Sequence, residues 1–501
     1  MDTHDDKRQE AVFAQGKVDI EVVQDLDEAE VFLQENNFSN EYVQELLDDK
    51  ASIKRLVRKV DFRIIPLLAG TYLLQYIDKQ AMSYAAVFDL FDDTNINLTQ
   101  YSWFASIFYI AYLVAEYPWR SSGGCVMAWG TVLMATAACS NFGGLAACRF
   151  LLGVFEAPIT PCFMMIVAMW YVREDQPFRA GVFYSCNGFG SMIGGILFFG
   201  IGQIKTFPVW KTIFLLCGGV TILWGVVLLL FLPDNIISAK RFSPQEKAAL
   251  IGRGKLGRTG ILNHKIKPYQ IREALLDPQI WLLVLFTLLN EIINGGIANF
   301  GKLIIKGLVH SPLETTALGI PQGGFQVVFI LSGTYLASRF RNCRTIIMML
   351  YMIPTIIGIG VLWRLDRSDR VGVLMAYYIV GGFVSSLVVA MQMPSANLGG
   401  YTKRMTGTAV VFMAYCIGNV MGPHAFLASE SPTYPTGCKT ILGCAVGQVC
   451  AAFALRLLLV WRNKRRDAGA SSADTSDEAA VVDEVSTDLT DFENPHFRYV
   501  Y

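Results

Sequence analysis

Apolar runs long enough to cross a bilayer recur along most of this chain, and they constrain its fold more than any other feature. A membrane helix needs about 20 mainly apolar residues. Such runs lie near 64–86, 101–119, 123–140, 143–170, 181–202, 210–232, 279–301, 314–337, 345–363, 371–392, 406–428 and 438–461. A water-soluble protein could bury a few of them as core helices. It could not bury all twelve, because only 17% of the 501 residues are charged and 53% are hydrophobic. That leaves too little polar sequence to cover such a core. Lipid offers the backbone no water to bond, which favours helices over an open sheet. The predicted fold class is an all-α membrane protein of twelve transmembrane helices, arranged as two six-helix halves.

Charge is segregated between these runs, and it sets the expected organisation. Residues 1–60 form an N-terminal tail, 61–232 a first six-helix bundle, 233–278 a central loop, 279–461 a second bundle and 462–501 a C-terminal tail. The glycines of Gly190-Ser-Met-Ile-Gly194 in the fifth run are echoed by Gly418-Asn-Val-Met-Gly422 in the eleventh. Both are small-xxx-small patterns that let helices approach closely. The opening MDTHDDKRQE has no apolar region of a cleavable signal. Both tails read as solvated and partly disordered. Lys54, Arg55, Arg58, Lys59, Arg63, the 240–272 cluster, Arg339, Arg344, Lys403 and Arg404 fall on one side of the membrane. Fewer basic residues, among them Lys205, Lys211, Lys302 and Lys306, fall in the loops opposite. Basic residues stay inside, so both termini are expected in the cytosol, with the plasma membrane as the expected location. Asn97-Leu-Thr99 then faces out, making Asn97 a candidate glycosylation site.

Other chemistries find little support. Formal net charge is zero, and no nucleic-acid partner is expected. Most of the eleven cysteines sit inside apolar runs, where free Cys behaves as a small hydrophobe. Residues 252–259 resemble a phosphate loop, but arginine stands where its lysine belongs and no strand precedes it. The five histidines lack metal-ligand spacing; His424 reads as a polar residue at a helix end. No nucleophile–base pair emerges, so no enzyme, cofactor or metal is expected. A monomer in a lipid bilayer is.

A charge at the bilayer centre costs about 2.5–3.5 kcal/mol on insertion scales, so it needs a partner, a cavity or a function. Arg149 and Glu156 share the fourth run. Seven residues is two helical turns, so both point to one face about 10 Å apart along the axis, too far for a direct ion pair. Asp78 and Lys79 lie in the first run, Glu116 at the end of the second, and Glu291 in the seventh beside Asn290 and Asn294. These charges suggest a polar cavity in mid-membrane. Lys79 and Arg149 would receive an anion. Asp78 and Glu156 would carry protons, because burial favours the neutral carboxyl and a nearby cation the ionised one. Among uncharged candidates, Asn419 and Gln322 would bind substrate. Glu116 reads as an interfacial structural residue.

Specific stretches then resemble a known family. Arg149-Phe-Leu-Leu-Gly-Val-Phe-Glu156-Ala, with Pro161 and Trp170-Tyr171, resembles the fourth helix of the anion:cation symporters of the major facilitator superfamily. Tyr101-Ser-Trp through Glu116-Tyr-Pro118 is similar to the family's second helix, and Gly295-Gly296 through Lys306-Gly307 to its seventh. Gly400-Tyr-Thr-Lys-Arg404, Tyr415-Cys-Ile-Gly418-Asn419 and Pro432-Thr-Tyr-Pro435 resemble fungal allantoate permease-like members, as does the tail Glu493 to Tyr499. The resemblance implies uptake of small organic anions such as allantoate, nicotinate or pantothenate with protons. It places the family's helix 1 acid–base pair on Asp78-Lys79, where lysine keeps the charge but loses the planar fork of arginine. The connection from Trp119 to Gly123 is shorter than the family's. The fifth run has the glycine spacing of drug antiporters but Gly195 at their proline. Alternatives to import are export of a secondary metabolite and a nutrient sensor that binds without transport.

Overall fold

The computed structural model describes residues 32–33, 35–36, 38–115, 122–171, 176–204, 206–233, 235–256, 266–309, 311–340, 342–366, 368–470, 489–494 and 497–501. Glu116, residues 119–121 of the short connection, Lys205, residues 257–265 and residues 471–488 and 495–496 of the C-terminal tail lie outside them.

Over the described residues, every apolar run is helical. The spans are α1 (Lys50–Ala85), α2 (Leu98–Ala115), α3 (Ser122–Thr136), α4 (Phe142–Glu156, resuming as Ile159–Trp170), α5 (Gln176–Ile201) and α6 (Val209–Phe231). The second half has α7 (Pro278–Lys306), α8 (Pro312–Arg339), α9 (Arg344–Leu350 with Met352–Arg364), α10 (Arg370–Val380 with Phe383–Ala390), α11 (Tyr401–Met421) and α12 (Pro435–Ala470). Six of the described helices are both long and apolar enough to cross a membrane, and Gly123–Thr136 and Ser185–Ile201 are shorter apolar helices. Large apolar side chains point away from the protein, Leu223 at 69% and Leu230 at 73% exposure on α6 among them. So much exposed apolar surface suits lipid rather than water.

The starts and breaks have local causes. Asp49 caps α1 by accepting from the amides of Ala51 and Ser52. Asn97 and Gln100 exchange side-chain–backbone bonds at the start of α2, a capping box. This leaves the sequon asparagine exposed with its Oδ1 engaged. The run read as one span over 143–170 is interrupted at Ala157-Pro158, because proline lacks the amide and clashes with the preceding turn. Interrupted helices supply irregular backbone beside the sites of many transporters.

The chain groups into two compact units. One comprises Met1–Ile64, Met165–Gln176 and Pro233–Ile261. In it Lys59 holds Glu246 at 2.5 Å, and Ser243 and Glu246 form the capping box of helix Pro244–Leu256. Gly252 of the supposed phosphate loop is helical and packs on Val43 of helix Asn40–Asp48. Part of the N-terminal tail is therefore ordered helix.

The other unit comprises Ile65–Met164, Pro177–Leu232 and Leu262–Tyr501 and contains a feature the sequence reading did not expect. Residues 489–494 and 497–501, taken for part of a solvated tail, form a strap over the end of the second bundle. Asp491 lies 2.6 Å from Lys403, which also meets Glu273 at 2.9 Å and Asp277 at 3.2 Å. Arg462 pairs with Asp277 at 2.7 Å. Asn463 exchanges two hydrogen bonds with the Tyr499 backbone, and Asn397 two with that of Val500. The Tyr499 hydroxyl donates to Asp491 at 2.7 Å. Lys403, read as a basic residue of an inner loop, is thus the buried hub of an ion cluster.

Candidate functional site

Arg149 and Glu156 do share a face of α4, and α4 can approach α2 because residue 153 is glycine. A Cβ there would run into the backbone oxygen of Phe108. Arg149 and Glu156 are 5% and 3% exposed. Together with Lys79 of α1 and Asn294 of α7 they line a cavity of about 40 Å³. A larger neighbouring cavity of about 110 Å³ shares Lys79, Glu156 and Asn294 and adds Gln75, Tyr112 and Asn187. Tyr76, Phe108 and Tyr109 wall both. The site therefore has apolar aromatic walls with a few convergent polar groups, as small-molecule sites commonly do.

The charges are incompletely paired. Arg149 stacks 5.6 Å from the Phe214 ring, and its Nε and Nη2 have no hydrogen-bond partner among the described residues. The Lys79 ammonium lies 5.0 Å from the centre of the Tyr109 ring, in the field of Glu291 and Glu156. A guanidinium with unused donors beside an ammonium in a walled cavity can take a carboxylate. The guanidinium offers bidentate geometry and the ammonium a point charge.

Asn419 belongs to a second polar cluster that reaches this cavity. It donates to Glu291 Oε2 at 2.6 Å, and Asn294 donates to the same oxygen at 2.9 Å and to Asn419 Oδ1 at 3.1 Å. Gly418 makes this possible, since a Cβ there would come within 2.6 Å of the Glu291 Cβ. Glu291 is fully buried, with Oε1 unpartnered. Asn290 faces elsewhere, donating to the Phe383 carbonyl and to Gln448.

The structure does not bring all the expected residues together. Asp78 lines neither cavity; its Oδ2 accepts from Thr221 of α6 at 2.8 Å. Consecutive helical residues do not share a face, so Lys79 and Asp78 look in different directions. Gln322 is also elsewhere. Its Oε1 accepts from Tyr377 at 2.5 Å and from Lys302 at 3.2 Å. Lys302, read as an external loop residue, is a buried residue of α7. Leu303-Ile304-Ile305 after it was the available signal that the helix continues. His424 meets Ser106 of α2 at 2.9 Å and Trp103 edge-on. Among the described residues no group of three or more His, Cys, Asp or Glu is placed to hold a metal ion.

Comparison with known proteins gives the family and the fold. The family model of the Major Facilitator Superfamily matches residues 68–423. An uncharacterized transporter of Schizosaccharomyces pombe is 35% identical, covering 91% of this chain and 90% of its own. The allantoate permease of Saccharomyces cerevisiae is 30% identical over 89% of this chain and 86% of its own. Among solved structures, the proton:xylose symporter XylE superposes with a TM-score of 0.59 at 12% identity, covering 80% of this chain and 95% of XylE. An inward-facing bacterial homologue of the human lysosomal transporter Spinster gives 0.55 at 15%, covering 79% and 96%.

Proposed function

The chain belongs to the major facilitator superfamily, and from that premise we propose that it imports a small organic carboxylate together with protons across the plasma membrane, with both termini in the cytosol. The observation that carries the proposal is Arg149, buried beside Lys79 and Glu156 with two guanidinium nitrogens unbonded. An unpaired buried cation is unfavourable unless an anion joins it. The allantoate permease relative supports the carboxylate class.

Glu156 and Glu291 supply the coupling. Both act on Lys79, from opposite halves of the molecule. With the anion absent, their negative charge stabilises the cations. With it present, a third negative group joins these two around Lys79, and a proton on one of them relieves the repulsion. Substrate and proton then bind cooperatively, which is what symport requires. Lys79 and Arg149 hold the substrate, with Asn419 positioning Glu291.

The test is uptake of labelled allantoate, nicotinate and pantothenate by cells expressing the chain. At least one should enter faster at acidic external pH, while the uncharged amide nicotinamide should not be taken up. Arg149→Ala should lower uptake at least about 30-fold, the scale of removing one partner from a buried charge contact. Uptake independent of protons and undiminished in Arg149→Ala would contradict the proposal.

A further inference from the structure

Lys302 has no place in the mechanism above. It is 3% exposed, and among the described residues no carboxylate lies within ion-pair distance. Its ammonium donates only to neutral oxygens, the Gly319 carbonyl at 3.3 Å and Gln322 Oε1 at 3.2 Å. Two tyrosine rings flank it, Tyr84 at 5.0 Å and Tyr377 at 5.9 Å. Such a cage holds a cation through ring quadrupoles and amide dipoles and leaves its charge uncompensated. A buried lysine held this way is expensive, and intramembrane charges of this kind generally mark a solute path.

The cage is built from both halves of the molecule. Tyr84 comes from α1; Lys302, Gly319, Gln322 and Tyr377 come from α7, α8 and α10. Lys302 lies eight residues beyond Asn294 on α7, about 12 Å farther along the axis and away from the strapped end. At that level the halves touch. The Tyr101 hydroxyl of α2 donates to the Asn299 carbonyl at 3.2 Å, and a Cβ on Gly195 of α5 would meet Ile320 of α8 at 2.8 Å. Parting of the halves there would withdraw the Tyr84 ring from the ammonium and uncover Lys302.

We propose that Lys302 is a second anion site, one that captures the carboxylate at the entrance opposite the strapped end before the substrate reaches Lys79 and Arg149. Closure brings Tyr84 back onto the ammonium, replacing the carboxylate and sending it inward. The substrate class comes from the transport reading above; the exposure of an anion-attracting lysine on opening does not depend on it.

The probe is a cysteine at position 322, beside Lys302. Intact cells expressing the full chain with Gln322→Cys are treated with a negatively charged and, separately, a positively charged methanethiosulfonate of similar size. The unmodified chain, treated alike, gives the background from its own cysteines. The expected result is that Cys at 322 reacts from outside and prefers the anionic reagent by about tenfold, as a focused positive field does. Adding Lys302→Gln should remove the preference, and Lys302→Arg should keep it. A site that never reacts, or a preference unchanged by Lys302→Gln, overturns the proposal; neither outcome requires a known substrate. For any carboxylate of the panel that is transported, Lys302→Gln should raise KM about tenfold with maximal rate nearly unchanged. A lower maximal rate with unchanged KM would instead assign Lys302 a purely structural role.

Discussion

At the scale of single residues, neighbouring carboxylates have different surroundings. Glu156 faces the cavity, whereas Asp78 bonds to Thr221 behind it. Asp78→Asn keeps an oxygen for the Thr221 hydroxyl and should leave exchange of substrate near normal. Asp78→Ala should lower the stability of the purified protein by about 1–3 kcal/mol, the cost of stranding a buried polar group, read as a fall in Tm. Loss of exchange in Asp78→Asn without loss of stability would return Asp78 to the proton path. That Arg149 and Glu156 share a face was legible in the sequence, because seven residues make two helical turns. The sequence did not show that Asp78 turns toward Thr221, since adjacency hides that the side chains of Asp78 and Lys79 diverge around the helix. It gave Glu291 less weight, because its partner Asn419 lies 128 residues away on another helix.

Among the elements, helix Pro244–Leu256 carries a defined pH dependence. Burial pushes the Glu246 carboxyl up, but the Lys59 ammonium and the Ser243 amide outweigh it and hold the group below the ordinary carboxylate range. A depressed native value means the stabilisation is complete above the ordinary range and is lost as pH falls through the depressed one. Hydrogen exchange in 244–256 should therefore accelerate under acid, and Glu246→Gln should give fast exchange already at neutral pH. Equal exchange in both proteins across the range would refute the assignment. The close contact of α11 with α7 makes a second prediction. Gly418→Val should displace Asn419 from Glu291 and impair transport more than folding, measured as uptake per molecule at the cell surface. Helix positions were readable from apolar runs and glycine spacing. The break at Ala157-Pro158 was not, because proline also occurs inside continuous α1 and α8.

At the scale of the whole molecule, the strap ties together the ends of α7, α11 and α12. Lys403→Met would leave Asp277 and Asp491 buried without their shared cation, and should destabilise the second bundle by about 3–5 kcal/mol. Truncation before residue 489 should also lower Tm, whereas a free tail would change nothing. Composition and charge marked this segment as a solvated tail because its anchoring is tertiary: Asp491, Tyr499 and Val500 find partners on three different helices. The central claim is that a carboxylate and a proton bind one cavity together, and proton movement tests it directly. Purified protein in liposomes containing a pH dye is supplied with allantoate, nicotinate or pantothenate outside. The account predicts that a transported carboxylate acidifies the lumen through the wild-type protein and that Glu156→Gln and Arg149→Ala abolish the signal. Carboxylate entry with no change in lumenal pH, or acidification unaltered by both substitutions, would contradict it.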